Sequence, residues 1–212
     1  MAKLPEPPPV AELVRVGPEA VTLPAGTRLY RIYSRGGLHP GGWGRMRHYG
    51  PVGTARFDHH SEPARVQEER GILYAASGGD AVATCVAEAF QDARVVDTRR
   101  DDPWLACFAL AEDVPLLDLT GKWPTRAGAS ANVNSGPRPR CRRWSRAVYE
   151  AFGDLRGLLY ASSMNGGEPA VALYERAAGA VPPSPVFNRP LSDPALLVGL
   201  GRIADALGYG LS

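Results

Sequence analysis

Glycine and proline punctuate this chain so often, 24 and 20 times in 212 residues, that its regular elements must be short. Each is a point at which a helix or strand tends to turn or stop. Between them lie brief apolar runs such as GILYAAS (71–77), WLACFALA (104–111) and PAVALYE (169–175), long enough for strands. None approaches the roughly 18 residues that would span a bilayer. With 44% apolar and 22% charged residues, the composition is that of a soluble globular chain and argues against wholesale disorder. The length suits one domain with a substantial core. Cys85, Cys107 and Cys141 are too few and too widely spaced for a disulfide framework, which fits a reducing compartment. The start, MAKLPEPPPVAEL, has no apolar leader segment. A cytoplasmic protein is expected.

Residues 1–9 are proline-rich and are expected to form an extended lead with little capacity to pack. They belong to an N-terminal extension over 1–26, ahead of a domain over 27–212. In TRLYRIYS (27–34) the side chains alternate as in a strand, Leu29, Arg31 and Tyr33 on one face and Tyr30 and Ile32 on the other. The glycine-dense stretch 34–53 reads as a long surface loop of the kind that is usually functional. GILYAAS reads as a buried strand leading through Gly-Gly to Asp80, a suitable helix N-cap. In the helix that follows, Val82, Cys85, Val86, Ala89 and Phe90 recur at helical spacing and leave Glu88 on the flank of the apolar stripe, where it could border a cleft.

ARVVDT (93–98), WLACFALA and VPLLDLT (114–120) are further strands, the last two expected to form a hairpin about Glu112-Asp113. Residues 121–136 are polar and small and read as a loop or partly mobile segment. CRRWSRAVYEAF reads as a helix with Trp144, Val148 and Phe152 near one face. GLLYASS (157–163) and PAVALYE are strands joined by MNGGE, and LSDPALLVGLGRIADALG is an amphipathic helix capped by Ser192 or Asp193. Without an internal repeat, this order gives an α+β class, a single mixed α/β domain.

The chain has no GxGxxG after a strand, no GxxxxGK[ST], no GxSxG and no HExxH. His59-His60 lacks a neighbouring Cys or His at metal-site spacing, so exposed loop histidines are expected and no metal site. What stands out instead is a set of polar residues beside apolar strands: Arg31 in LYRIY, Arg56 in ARFD, Tyr74 in ILYAAS, Glu88 in VAEAF and Ser162 in YASS. Taken singly, each also has an ordinary structural role open to it, as a snorkelling cation, a solvated helix residue, a strand-end hydroxyl or a core aromatic.

Their order is more telling. LYRI, then RF ahead of LYAA, then an apolar helix bearing AE, then GLLYAS followed by GG and an apolar strand resembles the RES-domain family, over roughly Thr27 to Glu175. The resemblance places the family's arginine on Arg31, its glutamate on Glu88 and its serine on Ser162. The arginine of the RFN segment falls on Arg56, where Asp58 replaces the usual Asn, and the strand tyrosine on Tyr74. Ser163 adjoins Ser162, but Ser162 lies two residues after Tyr160, as in the family pattern.

The resemblance implies a fold like that of ADP-ribosyltransferases, with central twisted sheets and flanking helices. It also implies cleavage of the nicotinamide–ribose bond of NAD by phosphorolysis or hydrolysis, the alternatives being protein ADP-ribosyltransfer or a catalytically silent interaction module. NAD would be substrate rather than cofactor, and phosphate a co-substrate if phosphorolysis holds. The pyrophosphate suits a planar guanidinium, Arg31 first and Arg56 second. A carboxylate near the ribose would stabilise positive charge as nicotinamide leaves, the part implied for Glu88. Ser162 would orient the substrate and Tyr74 stack on the nicotinamide ring or wall the pocket. Arg56, Arg45 and Arg47 are candidates for a second anion site. The implied partner is an Xre-like antitoxin, with a homodimer left open and membrane association not expected.

A different class of function is suggested by residues 121–149, where Lys122, Arg126, Arg138, Arg140, Arg142, Arg143 and Arg146 occur without an acid up to Tyr149. Such a patch can follow a phosphate backbone. The net charge of only +2 and the interruptions at Pro137 and Pro139 weigh against it, and direct nucleic-acid binding is not expected.

Overall fold

The computed structural model describes residues 4–212. Helix α1 (Val10–Val16) and strands β1 (Ala20–Leu23) and β2 (Arg28–Ser34) come first, followed by a two-residue ladder of β3 (Tyr49–Gly50) with β4 (Arg65–Val66). Strand β5 (Ile72–Ala76), helix α2 (Ala81–Ala89) and strands β6 (Val95–Val96), β7 (Pro103–Ala109) and β8 (Val114–Asp118) form the middle of the chain. Then come α3 (Trp123–Arg126), α4 (Arg138–Ala151), the hairpin β9 (Gly157–Ala161) and β10 (Pro169–Tyr174), β11 (Phe187–Pro190), α5 (Pro194–Leu207) and β12 (Gly210–Leu211).

Eight strands make a mixed sheet in the order β1-β8-β9-β10-β5-β2-β7-β11. It behaves as two half-sheets, because β5 meets β2 through the single pair Tyr30↔Ala76, whereas β2 pairs with β7 from Arg28↔Ala109 to Ser34↔Pro103. The inner faces pack on each other: Leu29 and Phe108 from one half join Leu73, Val114, Leu116, Val171 and Leu173 from the other. On the outer face of the larger half, Leu117, Leu158, Ala172 and Tyr174 bury against Trp123, Cys141, Trp144 and Val148 of the α3–α4 region. On the other side, Leu105 packs with Val86 of α2 and Leu200 and Ala204 of α5. This is the expected α+β class, with sheets at the centre and helices on both flanks. Helix α5 is bounded as its sequence implies: the Asp193 carboxylate accepts from Ala195 N at 2.9 Å, and Gly208 adopts the left-handed conformation at φ 67°.

Several expectations are corrected. β7 and β8 do not pair; they lie in opposite halves, and the Glu112-Asp113 turn carries the chain across the sandwich. Phe108 and Leu110 before the turn and Val114 and Leu116 after it all enter the same core. Alternation states which face is buried, not which strand is the neighbour. Residues 121–136 are not a polar loop, since they hold α3 and a 3-10 turn over Ala131–Asn134 with Trp123, Ala127 and Val133 buried. The strand expected over 93–98 shrinks to β6, paired in parallel with β12. Asp80 takes the N-cap position of α2, but its side chain makes no capping bond; its carboxylate accepts from Asn165 Nδ2 at 2.8 Å.

The proline-rich lead also packs, in the part the structure describes. Leu4 is buried, Pro5 O accepts from Trp144 Nε1 at 2.8 Å, and Glu6 binds Arg140 and Arg143. α1 lies on α4, and β1 extends the sheet through β8. The basic segment is therefore largely committed inside the protein. Arg126 pairs with Glu19, and Arg142 Nη1 donates to the carbonyls of Val52, Gly53 and Ala55.

Candidate active site

The seam between the half-sheets is where a cleft of about 390 Å³ opens, a size typical of ligand pockets. Arg31 from β2, Arg56 from the following loop, Tyr74 from β5, Glu88 from α2 and Tyr160 from β9 all line it. The helical spacing of Thr84, Cys85, Glu88 and Ala89 turns one side of α2 to the cleft, while Val86 faces the core between α2 and α5.

Glu88 and Ser162 meet directly, Ser162 Oγ donating to Glu88 Oε1 at 2.6 Å. The short distance is that of a charge-assisted bond. Ser162 is buried and is held by the β9–β10 turn, where its N–H donates to Glu168 O at 2.9 Å and its carbonyl accepts from Gly167 N at 3.0 Å. Asn165 in that turn reaches the start of α2, donating to Asp80 and, at 3.0 Å, to Thr84 Oγ1. Turn and helix are thus fastened together at the N-terminal end of α2, ahead of the Ser162–Glu88 bond. Ser163 points elsewhere, its hydroxyl accepting from Arg56 Nη2 at 3.3 Å.

Arg31 donates through Nη1 to Trp43 O at 3.2 Å, and its buried Nε has no hydrogen-bond partner among the described residues. Burial brings its pKa down to about 10, so it stays cationic at neutral pH. Arg56 donates to Gly136 O at 2.5 Å. The Tyr74 hydroxyl is already engaged, donating to Asp58 Oδ1 at 3.0 Å and accepting from Phe57 N at 3.0 Å. Its ring, not its hydroxyl, is what the cleft can use. Burial first, and then the Asp58 charge, raises the Tyr74 phenol well above its usual range; burial followed by the Glu88 charge does the same for Tyr160. Cys85 also lines the cleft, but burial pushes its thiol up to about 12, which leaves it protonated and a poor nucleophile.

Asp58 is fully buried and collects three donors, Arg47 Nη2 at 2.6 Å, Val52 N at 2.8 Å and the Tyr74 hydroxyl. With Arg142 on the other side, it clamps the loop that presents Arg56. Arg47 is consumed in this role, and Arg45 lies beside Trp43 and Val181 in a separate shallow depression. Neither lines the cleft, so the second-anion-site expectation fails for both. His59 and His60 are not exposed loop residues; both are buried. Tyr160, Gln91 and Arg138 also line the cleft and were not singled out from the sequence. Arg138 was hidden among the other arginines of its segment. The described residues contain no cluster of three or more His, Cys, Asp or Glu able to hold a metal ion.

A comparison with protein families matches the RES domain over residues 28–192. The chain belongs to the RES-domain family. The matched region of this RES domain runs from the first residue of β2 to the approach to α5 and contains Arg31, Arg56, Tyr74, Glu88 and Ser162. A chain from the crystal structure of the M. tuberculosis MbcT-MbcA toxin-antitoxin complex superposes with a TM-score of 0.58 at 17% identity, covering 90% of this chain and 95% of that one. At that identity the likeness is one of fold. The comparison with curated proteins gives no match. No helix in the described residues is long and apolar enough to cross a membrane.

Proposed function

We propose that this RES domain cleaves the nicotinamide–ribose bond of NAD, and that it is the toxin of a toxin–antitoxin pair acting in the cytoplasm. The observation that carries the chemical part is the 2.6 Å Ser162–Glu88 bond at a cleft lined by Arg31 and Arg56. Ser162 fixes one carboxylate oxygen of Glu88. The other is then available to a ribose hydroxyl and to the positive charge that develops at C1′ as the C1′–N bond breaks. The bonding pair leaves with nicotinamide, whose ring nitrogen becomes neutral, so no strong general acid is needed. An oxygen nucleophile, water or phosphate, closes on C1′ and releases its proton to solvent. Arg31 and Arg56 would receive the diphosphate, and the Tyr74 ring would wall the nicotinamide side.

Purified protein should consume NAD and release nicotinamide, with Glu88→Gln and Arg31→Ala each largely abolishing the loss while circular dichroism stays unchanged. Folded variants with wild-type turnover would refute the assignment. Running the assay with and without phosphate, and identifying the ribose product, reads the acceptor. The biological part is supported by RES-family membership and by the fold shared with a chain of a toxin–antitoxin complex. A cognate Xre-like antitoxin co-expressed with this protein should form a stable complex and suppress NAD loss. Absence of both effects would remove the toxin role while leaving the enzyme.

A further inference from the structure

The cations of residues 121–149 separate once their partners are traced. Arg126, Arg140 and Arg143 are paired with carboxylates, and Arg142 is spent on three carbonyls. Of this segment's cations, Arg138 is the one that lines the cleft. Its Nη2 donates to Gln91 Oε1 at 2.7 Å, and Gln91 Nε2 in turn donates to Glu88 O at 2.8 Å. The guanidinium is therefore tethered, through one side chain, to the residue that faces the reacting centre.

Arg56 is tethered in the complementary way, to Gly136 O and to Ser163, the neighbour of Ser162. Two guanidiniums thus line one cleft with Glu88, Arg138 fastened to it through Gln91 and Arg56 fastened to the residue after Ser162. A guanidinium has five N–H donors; these contacts use one of Arg138's and two of Arg56's. No carboxylate reaches ion-pair distance of Arg31, Arg56 or Arg138 among the described residues, although Glu88 and Asp92 line the same cleft. Cations held in a partly desolvated cleft with spare donors and no paired anion are complementary to an incoming anion. The forked geometry favours phosphoryl oxygens.

We propose that Arg138 and Arg56 form a phosphate cradle beside the Glu88–Ser162 pair, taking either the diphosphate of a bound dinucleotide or free inorganic phosphate. The dinucleotide source rests on the NAD reading above; the anion site itself does not. Calorimetric titration with ADP-ribose and, separately, with inorganic phosphate tests it on wild-type protein, Arg138→Gln, Arg138→Lys and the control Lys122→Gln. The control removes the same charge from an exposed position outside the cleft. Arg138→Gln should weaken at least one ligand by about ten- to a hundred-fold, the range for a charged hydrogen bond. Arg138→Lys should fall between, and Lys122→Gln should stay within about twofold.

A loss for ADP-ribose alone assigns the cradle to the diphosphate. A loss for inorganic phosphate in ADP-ribose-saturated protein assigns it to free phosphate. Wild-type affinity of Arg138→Gln for both ligands, or no measurable binding of either by wild-type protein, overturns the cradle. Because binding is read apart from turnover, Arg138-dependent binding by a protein that leaves NAD intact would overturn the cleavage reading alone.

Discussion

Asp58→Asn changes one atom type at the residue that holds the Arg56 loop, and the cost follows from the donors around it. Oδ1 accepts from Arg47 Nη2 and from the Tyr74 hydroxyl, and Oδ2 accepts from Val52 N. An amide must direct its NH₂ at one of these groups. Turned toward Val52, it sets donor against donor and strands a backbone N–H; turned the other way, it loses both Arg47 and Tyr74 as donors. In either orientation Arg47 loses the anion it pairs with. One stranded donor costs about 1–3 kcal/mol, and breaking a buried ion pair from one side about 3–5 kcal/mol. Arg47 is partly exposed, at 33% of its side chain, which discounts the second figure. A total of about 3 kcal/mol is expected, a fall in Tm of about 6–12 °C for a chain of this size. Urea unfolding at constant m-value measures it directly. Because Asp58 positions the loop and does not line the cleft, the folded variant should show a raised KM for NAD with kcat changed less, as Arg56 loses its fixed seat. A stability loss below about 1 kcal/mol would refute the donor argument, and an unchanged KM would refute the positioning role.

The two adjacent serines should separate cleanly. Ser162→Ala removes a charge-assisted bond to Glu88 and should lower kcat/KM for NAD by about tenfold or more, while Ser163→Ala, which removes a 3.3 Å contact with Arg56, should change it by less than about threefold; equal effects would sink the distinction. Acid stability should depend on the buried histidines. Burial lowers the His60 pKa to about 4, and both its ring nitrogens lack partners among the described residues. Burial also lowers that of His59, against the pull of its Glu175 partner. A histidine kept neutral in the fold takes up its proton more readily when unfolded, so its contribution is full above the unfolded pKa of about 6.5 and is lost as pH falls toward the folded value. Between about pH 6.5 and 4 the urea midpoint should therefore drop, and His60→Gln should flatten that drop; a variant with the wild-type pH slope would count against it. Glu175 adds a second, lower window. Burial alone would raise its pKa, but hydrogen bonds from His59 and Tyr149 outweigh this and hold it at about 2, so its contribution is lost only as pH falls from about 4.5 toward 2.

The sequence was most informative where one element explains itself. Period-two alternation identified β2, short apolar runs identified β5, β9 and β10, and helical spacing put Glu88 on the flank of α2, because each pattern reports the burial of one element by itself. Those patterns placed Arg31 on a strand and Ser162 at a strand end, and the ordered segments around them carried the family resemblance. They were silent on partners. Asp58 reads as one acid in a loop until Arg47, Val52 and Tyr74 converge on it from three places. Arg138 reads as one of several arginines until Arg126, Arg140, Arg142 and Arg143 are seen to be occupied and Arg138 is seen to line the cleft.

What the amino-acid order determined by itself was the main elements β2, β5, α2, β7, β8, α4, β9, β10 and α5, and the candidate residues Arg31, Arg56, Tyr74, Glu88 and Ser162. Tertiary structure decided which strands are neighbours and therefore which of these residues meet. β7 and β8 separate into opposite half-sheets, and β2 touches β5 through one pair only, so that the seam opens as a cleft. The physical reason is that hydrophobic periodicity is a local property, satisfied by any arrangement that buries the same faces. A contact such as Ser162–Glu88, 74 residues apart in the chain, exists only once one arrangement has been selected by packing across the whole sandwich.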